Sequence, residues 1–169
     1  QLANKVCVVT GACGGMGTEI CRALVAQGAK VVLVDVDRTK LTALAEQLAQ
    51  VQDADVQVEV CDVTDPAAVK ALSEAIKQRF GRCDVLINTA GILKFAPLES
   101  LDYATWQQVL KVNLDGYFLT SQTLGKLMIQ QGSGSIVHIS TVASLAPETY
   151  SGAYSTSKAG VNMLSKQIA

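Results

Sequence analysis

A chain of 169 residues, 49% of them apolar, is long enough for one domain with a sizeable core. A formal net charge of -1 with scattered lysines and arginines argues against a nucleic-acid surface, and no apolar run is long enough to span a membrane. The five cysteines (Cys7, Cys13, Cys21, Cys61 and Cys83) are odd in number with no CxxC spacing, and His138 is the only histidine; buried reduced thiols, no metal and a cytoplasmic location are therefore expected.

The first apolar run, Val6–Val9, reads as a strand. It leads into Thr10-Gly11-Ala12-Cys13-Gly14-Gly15-Met16-Gly17, and a helix is predicted from Gly15 to Gln27. Glycines in such a loop let the backbone turn tightly and approach a pyrophosphate, and the helix N-terminus then offers free N–H groups. Taken alone, the loop could also be an ordinary strand-to-helix turn. Gly28 stops the helix, Val31–Val34 forms a second strand, and Asp35 follows it eighteen residues after Gly17. An acid there can accept hydrogen bonds from ribose hydroxyls and would repel a 2′-phosphate.

A helix over Thr39–Gln50 and a strand over Val56–Val60 come next. Asp65-Pro66 caps a helix running to Arg79, and Gly81 ends it. Val85–Ile87 is a fourth strand, Asp102–Gln131 one long helix, and Ile136–Ile139 a fifth strand closing on Ser140, apolar on both faces and so suited to pairing on both sides. A last helix starts near Ala153. This alternation predicts a doubly wound α/β sheet with right-handed crossovers, without an internal linker or repeat.

The sharpest local pattern is Tyr154-Ser155-Thr156-Ser157-Lys158, whose i,i+4 spacing puts a phenol and an ammonium on one helix face. A free tyrosine, with a pKa near about 10, is a poor base at neutral pH. A neighbouring lysine stabilises the phenolate, and a serine such as Ser140 can hold a substrate oxygen. By itself the pair is better explained by a surface helix. Joined to Ser140, the glycine loop and Asp35 in this order, it points to proton transfer coupled to a dinucleotide.

With these residues together, the chain resembles the short-chain dehydrogenase/reductase family from Val6 to its last residues. Thr10-Gly11-xxx-Gly15-x-Gly17 is similar to that family's TGxxxGxG loop, which includes Met16. Asp62-Val63 resembles its adenine-contacting pair, and Asn88-Thr89-Ala90-Gly91 its NNAG element, with Thr89 in place of the second asparagine. Asn113 matches the helix asparagine that holds a water in the family's proton relay. The resemblance implies a Rossmann-like sheet of strand order 3-2-1-4-5 and a single NAD(P)-binding domain over residues 1–169. It implies Tyr154 as general acid/base, Lys158 on the nicotinamide ribose, Ser140 on the substrate oxygen and Asn113 in the relay. Gly14 and Val36 stand where relatives that use NADP carry basic residues, so with Asp35 the expected cofactor is NAD.

The expected function is hydride transfer between NAD(H) and a small-molecule secondary alcohol or ketone. A non-catalytic cofactor binder and an epimerase or dehydratase are the alternatives. The resemblance also implies a homodimer or homotetramer, through apolar residues such as Tyr117, Phe118, Leu124, Leu127, Met128, Val161 and Met163. The family continues beyond this helix. Its C-terminal strands and substrate loop are missing here, so a protein longer than these residues is expected. His138 reads as a satisfied core residue, Trp106 and Tyr117 as packing, Tyr150 as a candidate substrate contact, and Glu148 as a solvated loop charge.

Overall fold

Five parallel strands, β1 (Val6–Thr10), β2 (Lys30–Asp35), β3 (Asp55–Val60), β4 (Val85–Asn88) and β5 (Ser135–His138), lie in the order β3-β2-β1-β4-β5 in a computed structural model that describes residues 2–146 and 148–169. This is the Rossmann-like order. Val6 pairs with Lys30 of β2, and Cys7 with Val85 of β4. β1 is buried at all five positions because helices cover both of its faces. Alternate residues serve the two layers. Val6, Val8, Val32 and Val34 meet α3 (Pro66–Phe80) and α5 (Gly116–Gln131) through Val69, Ile76 and Leu124. Cys7, Val9, Val31 and Leu33 meet α1 (Gly15–Ala26) and α2 (Arg38–Leu48) through Leu24, Val25 and Leu41.

Local chemistry sets the helix ends. Asp37, Asp65 and Asp102 cap α2, α3 and α4 (Tyr103–Leu110), accepting from the backbone N–H groups of Lys40, Ala67 and Thr105 at 3.1, 2.9 and 2.8 Å. Gly28 and Gly81 follow α1 and α3 with φ of +77° and +71°. Arg38 opens α2 and is exposed.

Three expectations change. The helix predicted over Asp102–Gln131 is a continuous helical run interrupted by one π turn, Lys111–Asp115, in which Gly116 N–H reaches back five residues to the Lys111 carbonyl. A 3.6-residue pattern cannot reveal such a turn, because it costs only one inserted residue. β5 ends at His138 rather than Ile139, so Ser140 lies two residues past its end; among the described residues the strand pairs with β4 and leaves Val137 42% exposed. Of the residues expected to be free for assembly, Tyr117, Leu124, Leu127, Met128 and Val161 are already buried within the chain. Phe118 and Met163 remain exposed. Among the described residues no helix is long and apolar enough to cross a membrane, and no cluster of His, Cys, Asp or Glu could hold a metal ion.

Candidate active site

The glycine loop turns at Gly11, whose φ is +65°. A Cβ there would stand 2.7 Å from Ala90 Cα, and one on Gly17 would stand 2.2 Å from the Gly11 carbonyl oxygen. These two glycines are needed for β1, α1 and the loop after β4 to pack together. Gly15 differs: a Cβ on it would meet nothing within 4 Å. Protein packing therefore does not require that glycine, and its backbone is left open to close approach by a ligand. Gly14 precedes α1 without a side-chain cap, and the first turn carries no acid. The helix start is thereby left suited to an anion, with Met16 exposed at its mouth.

Asp35 ends β2 at the lip of the loop. One carboxylate oxygen accepts from Cys13 N–H at 3.1 Å, and the other from the N–H groups of Val36 at 2.8 Å and Asp37 at 3.3 Å. The acid thus orients the loop, yet a carboxylate has about four acceptor positions and three are taken, so capacity remains for a hydroxyl group. At the end of β3, Asp62 accepts from Thr64 N–H at 2.9 Å, and Val63 is buried against Gly116, where a Cβ would come within 2.8 Å of Val63 Cγ2. Gly11, Gly14, Asp35, Asp62, Val63 and Gly91 line one cleft of about 490 Å³ at the carboxyl ends of the strands. Ligands bind at this position in open α/β sheets.

Asn88 closes β4 with both ends of its side-chain amide engaged. Its carbonyl oxygen accepts from Thr10 and Thr120 at 3.1 and 3.0 Å, and its amide donates to Ser121 at 3.3 Å. Thr89 donates its hydroxyl to the Thr10 carbonyl at 2.6 Å. The threonine that departs from NNAG therefore still ties the β4 loop to the glycine loop.

The π turn presents Asn113, fully buried, to that loop. Its side chain accepts from Ile92 N–H at 2.8 Å and donates to the Ile92 carbonyl at 2.9 Å and to Ser157 at 3.2 Å. Its amide thus holds the segment after Gly91 against α6 (Gly152–Ile168). Lys158 on α6 is only 3% exposed, and burial pulls its ammonium down to about 8. The ammonium donates to the Tyr117 hydroxyl at 3.0 Å and to the Ile139 carbonyl at 2.8 Å. It lies 6.0 Å from the Tyr154 ring centroid. Ser140 donates to the Lys158 carbonyl at 3.4 Å, which places it alongside the same turn of α6.

Two groups of predicted residues result. Gly11, Asp35, Asp62, Val63 and Gly91 share the cleft; Asn113, Ser140, Tyr154 and Lys158 gather beyond it. Gly91 joins them, since a Cβ there would lie 3.4 Å from Asn113 Oδ1 and 3.9 Å from Lys158 Nζ. His138 is satisfied between Ser121 at 2.9 Å and Ser165 at 3.2 Å. Trp106 is half-buried and Glu148 exposed. Tyr150 has an exposed side chain and φ of +64°, and its carbonyl accepts from Ala96 N–H at 3.0 Å. The contact of Tyr117 with Lys158 was not foreseen; the one local signal was that Tyr117 follows Asn113 by four residues.

Comparison with known proteins gives a consistent answer. The profile of the family described as short chain dehydrogenase matches residues 5–169. The chain is 39% identical to D-threitol dehydrogenase of Mycolicibacterium smegmatis over 169 residues, covering 100% of this chain and 65% of that protein. A crystal structure of NAD+-bound xylitol dehydrogenase superimposes with a TM-score of 0.97 at 30% identity, over 100% of this chain and 65% of that one. A metagenomic short-chain oxidoreductase in complex with NADP superimposes with a TM-score of 0.94 at 35% identity, over 99% and 76%. The chain thus spans just under two thirds of the length of the first of these relatives.

Proposed function

The chain belongs to the short-chain dehydrogenase family, and on that premise we propose that its protein is an NAD(H)-dependent oxidoreductase interconverting a small secondary alcohol and the matching ketone. The observation that carries the reading is Lys158. A buried ammonium with no carboxylate partner among the described residues stands 6.0 Å from the Tyr154 ring, at the end of a glycine-lined cleft. Burying an uncompensated charge is costly and is tolerated chiefly where chemistry uses it.

The residues fit a dinucleotide. The loop at Gly15 leaves open space before an uncapped helix start, and Asp35 retains acceptor capacity at the adenosine-ribose end. When bound, the nicotinamide supplies the hydride acceptor or donor. In this reading Tyr154 takes the hydroxyl proton of the alcohol, or returns it to the ketone oxygen. Lys158 stabilises the phenolate by its charge and reaches the nicotinamide ribose. Ser140 donates to the substrate oxygen, and Asn113 fixes the loop after β4 and completes the proton relay. The whole of 1–169 acts as one nucleotide-binding domain.

Asp35 is the basis for choosing NAD over NADP, because a phosphate placed beside it would meet charge repulsion and desolvation. The test measures substrate-dependent NADH formation and the affinities of both cofactors in the full-length protein. NAD should bind far more tightly, and Asp35→Ala should narrow the gap by about tenfold or more. Equal affinity of the unaltered protein for NADP would remove Asp35 from this role, and a screen of alcohols giving no NADH would favour a pure cofactor binder.

We place the protein in the cytoplasm, given five free thiols. We also propose that it assembles as a homodimer or homotetramer, for which exposed Phe118, Ile129 and Met163 on α5 and α6 are the available apolar surface. Light scattering at micromolar concentration should give a multiple of the chain mass; a monomer would refute the assembly.

A further inference from the structure

We propose that Tyr117 is a positioning residue for Lys158, holding the buried ammonium from α5 so that it faces Tyr154 and the loop after β4; this rests on the oxidoreductase reading above. An ammonium has three N–H donors. Two of them are engaged, by the Tyr117 hydroxyl at 3.0 Å and the Ile139 carbonyl at 2.8 Å. The Tyr117 hydroxyl donates in turn to the same carbonyl at 3.3 Å, so its lone pairs are left for the ammonium. Lys158 Nζ also stands 4.5 Å from the Tyr117 ring centroid, against 6.0 Å for Tyr154. The ammonium is therefore held more closely by the tyrosine of α5 than by the one it is proposed to serve. The third N–H is left for the side where Gly91 opens into the cleft, since a Cβ on Gly91 would lie 3.9 Å from Nζ.

This arrangement does the work of a counter-ion without carrying a charge. No carboxylate pairs with Lys158 among the described residues. The titratable groups around it are Tyr117 from α5, His138 from β5 and Tyr154 from α6 itself. Tyr117 is 1% exposed, and burial pushes its phenol up, so it stays neutral and keeps its proton for Ile139. His138 packs against the Tyr117 ring at 5.4 Å, and burial together with the Lys158 charge pulls its imidazole down, which keeps it uncharged as well. A carboxylate in place of Tyr117 would pin the ammonium more strongly and draw it away from the cleft. A phenol with its ring leaves the charge available at moderate cost.

The test uses the full-length protein and Tyr117→Phe, which keeps the ring and deletes the hydroxyl. The ¹⁵Nζ resonance of Lys158, assigned by its loss in Lys158→Met, should titrate near about 8 in the unaltered protein. In Tyr117→Phe the midpoint should fall by about one pH unit, since one charge-assisted hydrogen bond is lost. The alkaline limb of kcat/KM should move the same way, and the thermal midpoint near neutral pH should fall by no more than a few degrees. A titration and a pH profile that superimpose on those of the unaltered protein would show Tyr117 to be core filling alone. The resonance is read without turnover, so this failure is distinguishable from failure of the oxidoreductase reading, which Tyr154→Phe probes.

Discussion

Tyr154→Phe is expected to lower kcat of the full-length protein by ~10²–10⁴ while leaving NAD affinity nearly unchanged. The substitution keeps the ring and removes the only atom that could carry the substrate proton. Tyr154 is half-buried on the first turn of α6, one turn before Lys158, whose backbone carbonyl accepts from Ser140. The cleft proposed for the adenosine half is lined by Gly11, Asp35 and Asp62 and not by Tyr154. Chemistry and binding should therefore separate cleanly: the loss belongs to the transition state, not to the cofactor complex. Near-normal turnover in this variant would take Tyr154 out of the mechanism, and equal losses in kcat and NAD affinity would mean that the hydroxyl serves cofactor binding rather than proton transfer.

The second large effect is alkaline unfolding driven by thiols. Cys7, Cys21, Cys61 and Cys83 are all at most 4% exposed, and burial raises them from 9.0 to about 11, 12, 11 and 12. A group whose folded pKa is raised contributes stability that is complete below the unfolded value and is lost as pH climbs through the folded one. At pH ~10.5 each thiol removes about 2 kcal/mol, or about 8 kcal/mol for the four. Lys158 acts with the opposite sign. Its folded value of about 8 lies below the ordinary 10.5, so stability rises between those limits, by about 3 kcal/mol. The thiols win, leaving a net loss of about 5 kcal/mol, comparable with the whole stability of many domains. Denaturant midpoints under reducing conditions should be level up to pH ~8, rise slightly to pH ~9 as Lys158 contributes, and fall steeply beyond it. Cys21→Ala with Cys83→Ala should flatten that fall even though it lowers the starting stability. A midpoint unchanged to pH ~11 would contradict the argument.

What could be read directly from the sequence rests on short-range physics. Val6–Val9 and Val31–Val34 mark buried parallel strands because a strand covered on both faces admits few polar residues. Asp65-Pro66 and Gly81 bracket α3 because capping and left-handed backbone are decided by neighbours in the chain. The spacing of Gly11, Gly15 and Gly17 announces a phosphate-sized approach, and Tyr154 and Lys158 share a face because four residues make about one helical turn. Family resemblance added the strand order, Asn113 and the particular roles of Tyr154, Lys158 and Ser140.

Only the tertiary structure decided the rest, since those contacts join residues far apart in the chain. Lys158 meets Tyr117 across 41 positions, and Thr10 meets Asn88 across 78. The π turn at Lys111–Asp115 leaves no trace in hydrophobic periodicity, yet it delivers Asn113 to both backbone groups of Ile92. Tyr117 reads as one more apolar helix residue until α6 is packed against α4 and the π turn. Its hydroxyl then becomes the acceptor that a buried ammonium requires. Composition and spacing report what each residue could do, but a hydrogen bond needs its partner within about 3 Å, and that proximity is set by how sheet and helices pack.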